Sequence, residues 1–202
     1  SRKHPGQSPR KVNLLVDIQA KLAEGKGPGY ERWAKVFNLK QMAAALAYLQ
    51  DNGLTEYGEL EKKAAETTDR FHVLSDRIKQ TENATNTNRE LKTATVQYAR
   101  TRPVFEKYKA AKYSRKFLAE HEADIELYRA AQADLKRLLD GAKLPKMDVL
   151  KEEGRRLAEQ KRKLYAEYQR VRRDMQEVNT AKANIDYLLG LTGQEKNKEQ
   201  ER

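Results

Sequence analysis

Leu150, Leu157, Leu164, Val171, Val178 and Ile185 recur at every seventh position, and Gly154, Lys161, Tyr168, Met175, Lys182 and Leu189 fall between them. A seven-residue repeat advances almost two helical turns, so it lays one narrow apolar stripe along a helix and leaves that stripe in need of a partner. Residues 147–190 are therefore expected to form a coiled-coil arm, with Gly190 closing it.

The partner lies earlier in the chain. Residues 54–100 keep a helical pattern with no proline for roughly 45 residues, equivalent to roughly 65 Å of helix. Their seam runs through Tyr57, Leu60, Ala64, Thr67, Phe71, Leu74 and Ile78, then Thr81, Thr85 and Asn88, then Leu91, Thr95 and Tyr98. A helix with so few apolar positions is stabilised mainly by what is laid along it. The section between the arms can turn the chain around, so the arms are expected to pair antiparallel. Setting Tyr57 against Leu189 brings Phe71 to Met175, Ile78 to Tyr168 and Thr85 to Lys161, so that polar meets polar.

Residues 101–146 are expected to be a helical tip insert. Arg102 and Pro103 should break the first arm, because the residue before proline is pushed out of helical geometry. Ser114 then caps a helix from Arg115 to Asp140, with Tyr113 stapled onto Leu118. At the other end, residues 12–53 read as a small helical base around Trp33, the only tryptophan. Its last helix follows Asn38, shows Leu39, Met42, Leu46 and Leu49 on one face, and stops at Gly53. Trp33 should be buried against the helix of residues 12–22. Residues 1–11 are a basic linker with two prolines, and residues 191–202 a tail expected to be disordered. The fold class is all-α and elongated: a short helical base, long antiparallel coiled-coil arms and a helical tip.

Composition narrows the chemistry. With 38% hydrophobic and 35% charged residues in 202, a thick core cannot be filled. No apolar run of about 18 residues is present to span a bilayer, which implies a soluble, cytoplasmic protein with no membrane insertion. The absence of cysteine removes disulfides, thiolate zinc sites and cysteine nucleophiles. The first residue is Ser1 and not methionine, so a preceding segment is expected. GKGPG at residues 25–29 lacks both the following Gly-Lys-Ser/Thr and the preceding strand of a phosphate loop. His4, His72 and His121 are too scattered to share a metal. No catalytic residue, metal ligand or cofactor site is expected.

The formal net charge is +11. It concentrates as +5 over residues 1–52 and +4 over residues 101–146, with zero over 53–100 and +2 over 147–202. In the middle section Lys107, Tyr108, Lys109, Lys112, Tyr113, Arg115, Lys116 and Phe117 interleave five cations with three aromatic rings. That mixture suits a nucleic-acid backbone held electrostatically while bases stack. The alternative is that the rings are core and the cations a solvated face. Candidate DNA-binding residues are Lys107, Lys109, Lys112, Tyr113, Arg115 and Lys116, with Arg2, Lys3, Arg10 and Lys11 in the linker.

Three blocks carry a family resemblance: VNLLVDIQAKLAEGKGPGYERWAKVFNLKQMAAALAYL from Val12, YARTRPVFEKYKAAKYSRKFLAEHEADIELYRAA from Tyr98, and NTAKANIDYLLG from Asn179. Together they resemble the non-catalytic region that follows the nuclease domain in relaxases of conjugative and mobilisable elements of Gram-positive bacteria. One departure is Lys112, where that family has a small residue, usually glycine. The resemblance implies a region of a bacterial mobile-element transfer protein that holds transfer-origin DNA, single-stranded or hairpin. Its implied partners are a relaxase nuclease domain in cis and accessory or secretion-coupling proteins. The competing expectation is a structural coiled-coil module that binds proteins and no DNA.

Overall fold

The computed structural model describes residues 39–188, which form five α-helices: α1 (Leu39–Asp51), α2 (Tyr57–Ala110), α3 (Arg115–Glu120), α4 (Glu122–Leu139) and α5 (Met147–Leu188). The all-α expectation holds. The Trp33 core, the linker, Gly190 and the tail lie outside the described residues. Two compact units are present, one holding residues up to Val73 together with those from Tyr168 onward, the other Leu74–Glu167. Helices α2 and α5 contribute a segment to each.

In the first unit, Met42, Ala45 and Leu49 of α1 pack with Leu54, Leu60, Ala64, Val178 and Ile185 in one buried cluster. Helix α1 ends as the sequence indicates. Leu54 donates its N–H to the Leu49 carbonyl (2.9 Å) and Gly53 to that of Gln50 (3.1 Å), with Gly53 at φ +62°. These two bonds are the Schellman pattern, which requires a left-handed residue at its centre and joins apolar residues such as Leu49 and Leu54 across it. The start of α2 lies antiparallel to the end of α5. The Tyr57 hydroxyl donates to Asp186 at 2.6 Å, and Phe71 and Tyr168 rings meet at 5.1 Å. Lys182, a charged member of the heptad, donates to the same Asp186 at 2.7 Å, and this bond holds its ammonium above the usual lysine range.

The second unit repeats the antiparallel pairing. Lys161 reaches Glu82 (3.4 Å), the Tyr165 hydroxyl donates to the same carboxylate (2.8 Å), and Asn88 donates its side-chain amide to the Leu150 carbonyl (2.9 Å). Thr81 and Asn88 are buried in the seam although both are polar. Threonine hydroxyls are satisfied on their own helix: Thr81 donates to Arg77, Thr85 to Thr81 and Thr95 to Leu91. Back-bonding of this kind leaves the methyl groups for packing, so a polar seam forms without orphaned donors.

Cross-helix contacts depart from the sequence alignment by seven residues at Phe71 and by four at Asn88, about two helical turns and one. Phe71 meets Tyr168 rather than Met175, and Asn88 lies against Gly154, where the heptad alignment would set Ala158. The heptad alone scores such slips alike, because each brings apolar positions together. A buried polar residue discriminates among them. Here Asn88 lies against a position without a side chain, and a Cβ at Gly154 would stand 3.0 Å from Asn88 Oδ1.

Two helix boundaries are corrected. Pro103 does not break the first arm: α2 runs through it to Ala110, for 54 residues. Proline removes the hydrogen bond to the Ala99 carbonyl, but Ala99 and Pro103 both lie on the exposed face, where solvent can bond that carbonyl. The opposite face keeps Ala94, Thr101 and Tyr108 buried, so the packed stripe continues past the proline. The helix expected from Arg115 to Asp140 is instead interrupted at His121 (φ −127°, ψ 25°). There the His121 ring stacks on Phe117 at 4.1 Å, and its Nδ1 lies 3.1 Å from the Phe117 carbonyl, so a proton on Nδ1 would donate to it.

Helix α4 folds back along α2. Tyr128 stacks on Phe105 (4.1 Å) and on Tyr98 (5.1 Å), and Arg137 reaches Glu90 at 3.4 Å. The bond with Tyr98 first, and burial second, push the Tyr128 phenol up to about 12 from an ordinary 10.0. The fold thus favours the neutral phenol. Its contribution is fully present below pH 10 and is lost as pH rises through about 12. Thermal melts followed by circular dichroism should show this alkaline loss, and Tyr128→Phe should diminish it.

Candidate nucleic-acid interface

The basic, aromatic segment is built on a helix end. At the terminus of α2, Tyr113 donates its N–H to the Tyr108 carbonyl (3.0 Å) and Lys112 to that of Lys109 (2.9 Å). This is again the Schellman pattern, with Lys112 in the position that favours glycine. Lys112 has φ 54° and Tyr113 φ 59°. The small residue expected at Lys112 therefore corresponds to a left-handed backbone, which costs a side-chain-bearing residue about 1–2 kcal/mol. The apolar contact that accompanies the motif is supplied by Tyr108 and Tyr113, whose rings meet edge to face at 5.2 Å. Tyr113 thus follows the end of α2 and packs against Tyr108. Ser114 then caps α3 as expected, its hydroxyl accepting the Phe117 N–H at 3.4 Å.

The three rings separate into roles. Tyr108 is 5% exposed and stacks with Phe117 at 6.0 Å, and Phe117 is half-buried. Tyr113 is 56% exposed. For Tyr108 and Phe117 the core reading is the right one, and Tyr113 is left as a ring that an incoming base could reach. Lys107, Lys109, Lys112, Arg115 and Lys116 are all exposed. Lys109 lies 3.8 Å from Glu106, and among the described residues the other four make no ion pair. The turn therefore gathers all six candidate residues from two helix ends and presents their charges to solvent. Arg2, Lys3, Arg10 and Lys11 lie outside the described residues.

His72 is exposed, with its ring 5.7 Å from that of Phe71. His121 is half-buried and stacks on Phe117. Sequence reasoning missed a second basic group, Arg89 and Lys92 on α2 with Lys151 and Arg155 on α5, which line one groove. Each pair is short and ordinary in sequence. Their only signal is that they flank the seam residues Asn88 and Gly154, which the antiparallel pairing brings together.

Among the described residues no helix is long and apolar enough to cross a membrane. No protein-family model, curated protein or solved structure matches the chain.

Proposed function

We propose that this chain is a non-catalytic DNA-holding and scaffolding region of a relaxase-like transfer protein, acting in the cytoplasm beside a nuclease domain in the same polypeptide. The observation that carries the DNA contact is the turn at residues 107–117, which holds five exposed cations and the exposed ring of Tyr113. Phosphates would be held by Lys107, Lys109, Lys112, Arg115 and Lys116, and an unpaired base of a single strand or hairpin loop would stack on Tyr113. Transfer-origin DNA, the nuclease in cis, and accessory or secretion-coupling proteins as partners come from the family resemblance.

A structural coiled-coil module without DNA binding is the competing reading. It is favoured by Tyr108 and Phe117, two of the three rings, which are committed to packing. Replacing Lys109, Lys112, Arg115 and Lys116 together by glutamine tests the choice, with circular dichroism confirming that helicity survives. For every phosphate that is no longer neutralised, the slope of log affinity against log salt should fall by about 0.7 on single strands and about 0.9 on duplex. Affinity for hairpin DNA and slope both equal to those of the parent chain would sink the turn as the contact and leave Arg2, Lys3, Arg10 and Lys11 as the better candidates, whereas a parent chain that binds no DNA would favour the structural module.

A further inference from the structure

The unit formed by residues 74–167 holds a groove of about 550 Å³, lined by Arg89 and Lys92 from α2 and by Lys151 and Arg155 from α5, with Asn88 and Gly154 beside them. No carboxylate lines it. In the other unit a groove of about 390 Å³ sets Lys63 and Arg70 against Glu66, Asp174 and Glu177, so its charge nearly cancels. The contrast identifies the first as the electrostatically unbalanced surface.

Spacing of three residues on α2 and four on α5 puts each pair on one side of its helix. Among the described residues Arg89, Lys92 and Lys151 make no ion pair, and Arg155 alone is paired, with Glu152 at 2.6 Å on the exposed surface. Four like charges around one cleft repel one another and concentrate a positive field there, and an anion relieves the repulsion. Gly154 keeps the floor open, because a Cβ would stand 3.3 Å from Lys92 Nζ as well as 3.0 Å from Asn88 Oδ1. No aromatic ring lines the groove. The groove therefore offers bases no stacking surface, and its four cations suit phosphates.

We infer that this groove is a second phosphate track, which seats the phosphodiester backbone of a nucleic-acid strand without sequence preference. The identification of the anion as nucleic acid rests on the proposed function. The experiment uses the full chain and a labelled single-stranded DNA, an RNA of the same sequence and inorganic phosphate as separate probes, each titrated across salt. Arg89→Gln, Lys92→Gln, Lys151→Gln and Arg155→Gln are combined in one variant. The pair Lys151→Gln and Arg155→Gln, both at exposed positions, is made alongside in case the fourfold variant does not fold. Arg172→Gln with Arg173→Gln serves as a control on exposed cations elsewhere.

The fourfold variant should lose at least about tenfold in affinity for DNA and RNA alike, with the salt slope smaller by about 3, and the pair should show about half that reduction. The control should bind as the parent does, and inorganic phosphate should compete only weakly. Groove variants that bind as tightly as the parent, with unchanged slope, would overturn the groove while leaving the turn at residues 107–117 as the binding surface. A parent chain that binds neither nucleic acid at low salt would overturn the groove and the proposed function together.

Discussion

Ile185→Ala should lower the unfolding free energy by about 2–5 kcal/mol, measured by chemical denaturation. Ile185 is 0% exposed and belongs to the cluster that joins α1 to the start of α2 and the end of α5. Truncation removes buried methyl and methylene groups and leaves a cavity bordered by three helices, whose backbones cannot all close on it. Val149→Ala provides the contrast. Val149 is 53% exposed, so its loss should change stability by less than about 0.5 kcal/mol. Equal effects at the two sites would contradict the packing described for this unit.

Gly154→Val should cost about 1–3 kcal/mol, the usual range for forcing extra carbons into a packed contact. Glycine within a helix normally weakens it by about 1 kcal/mol relative to alanine, so a side chain at a free position is a gain. Gly58 is such a position, with nothing within 4 Å of where a Cβ would stand, and Gly58→Ala should stabilise slightly. At Gly154 the added Cβ meets Asn88 Oδ1 at 3.0 Å. Asn88 cannot turn away without releasing the Leu150 carbonyl. Asn88→Ala in the same chain should therefore recover part of the loss, giving a coupling energy of about 1 kcal/mol or more in a double-mutant cycle. Strictly additive effects would exclude the contact as the source of the register.

Helix type and seam membership were the most readable properties. Every residue placed on the first-arm seam is buried or half-buried, and Leu150, Leu157, Leu164, Val171, Val178 and Ile185 are all buried. These depend on periodicity, a local property that side chains express wherever a partner covers them. Pro103 misled because its penalty depends on the face that carries it. Pro103 and Ala99, whose carbonyl loses its helical partner, are both exposed, and the stripe of Ala94, Thr101 and Tyr108 goes on past them. His121 misled in the opposite sense, since nothing in a periodic pattern announces that a ring will stack on Phe117 and halt a helix.

The candidate site was half readable. The cations of residues 107–117 are close enough in sequence to be seen, and all are exposed. Which ring remained free was not readable, because Tyr108, Tyr113 and Phe117 are equivalent in composition and differ only in what packs on them. The sequence alone determined that the chain is helical, which stripe each long helix buries, and that the two stripes run antiparallel, for these follow from the order and spacing of residues. Only the tertiary structure decided the register of α2 on α5, and with it the meeting of Arg89 and Lys92 with Lys151 and Arg155. A heptad repeat is satisfied by several alignments, and the one adopted is the one in which Asn88 finds a residue without a side chain.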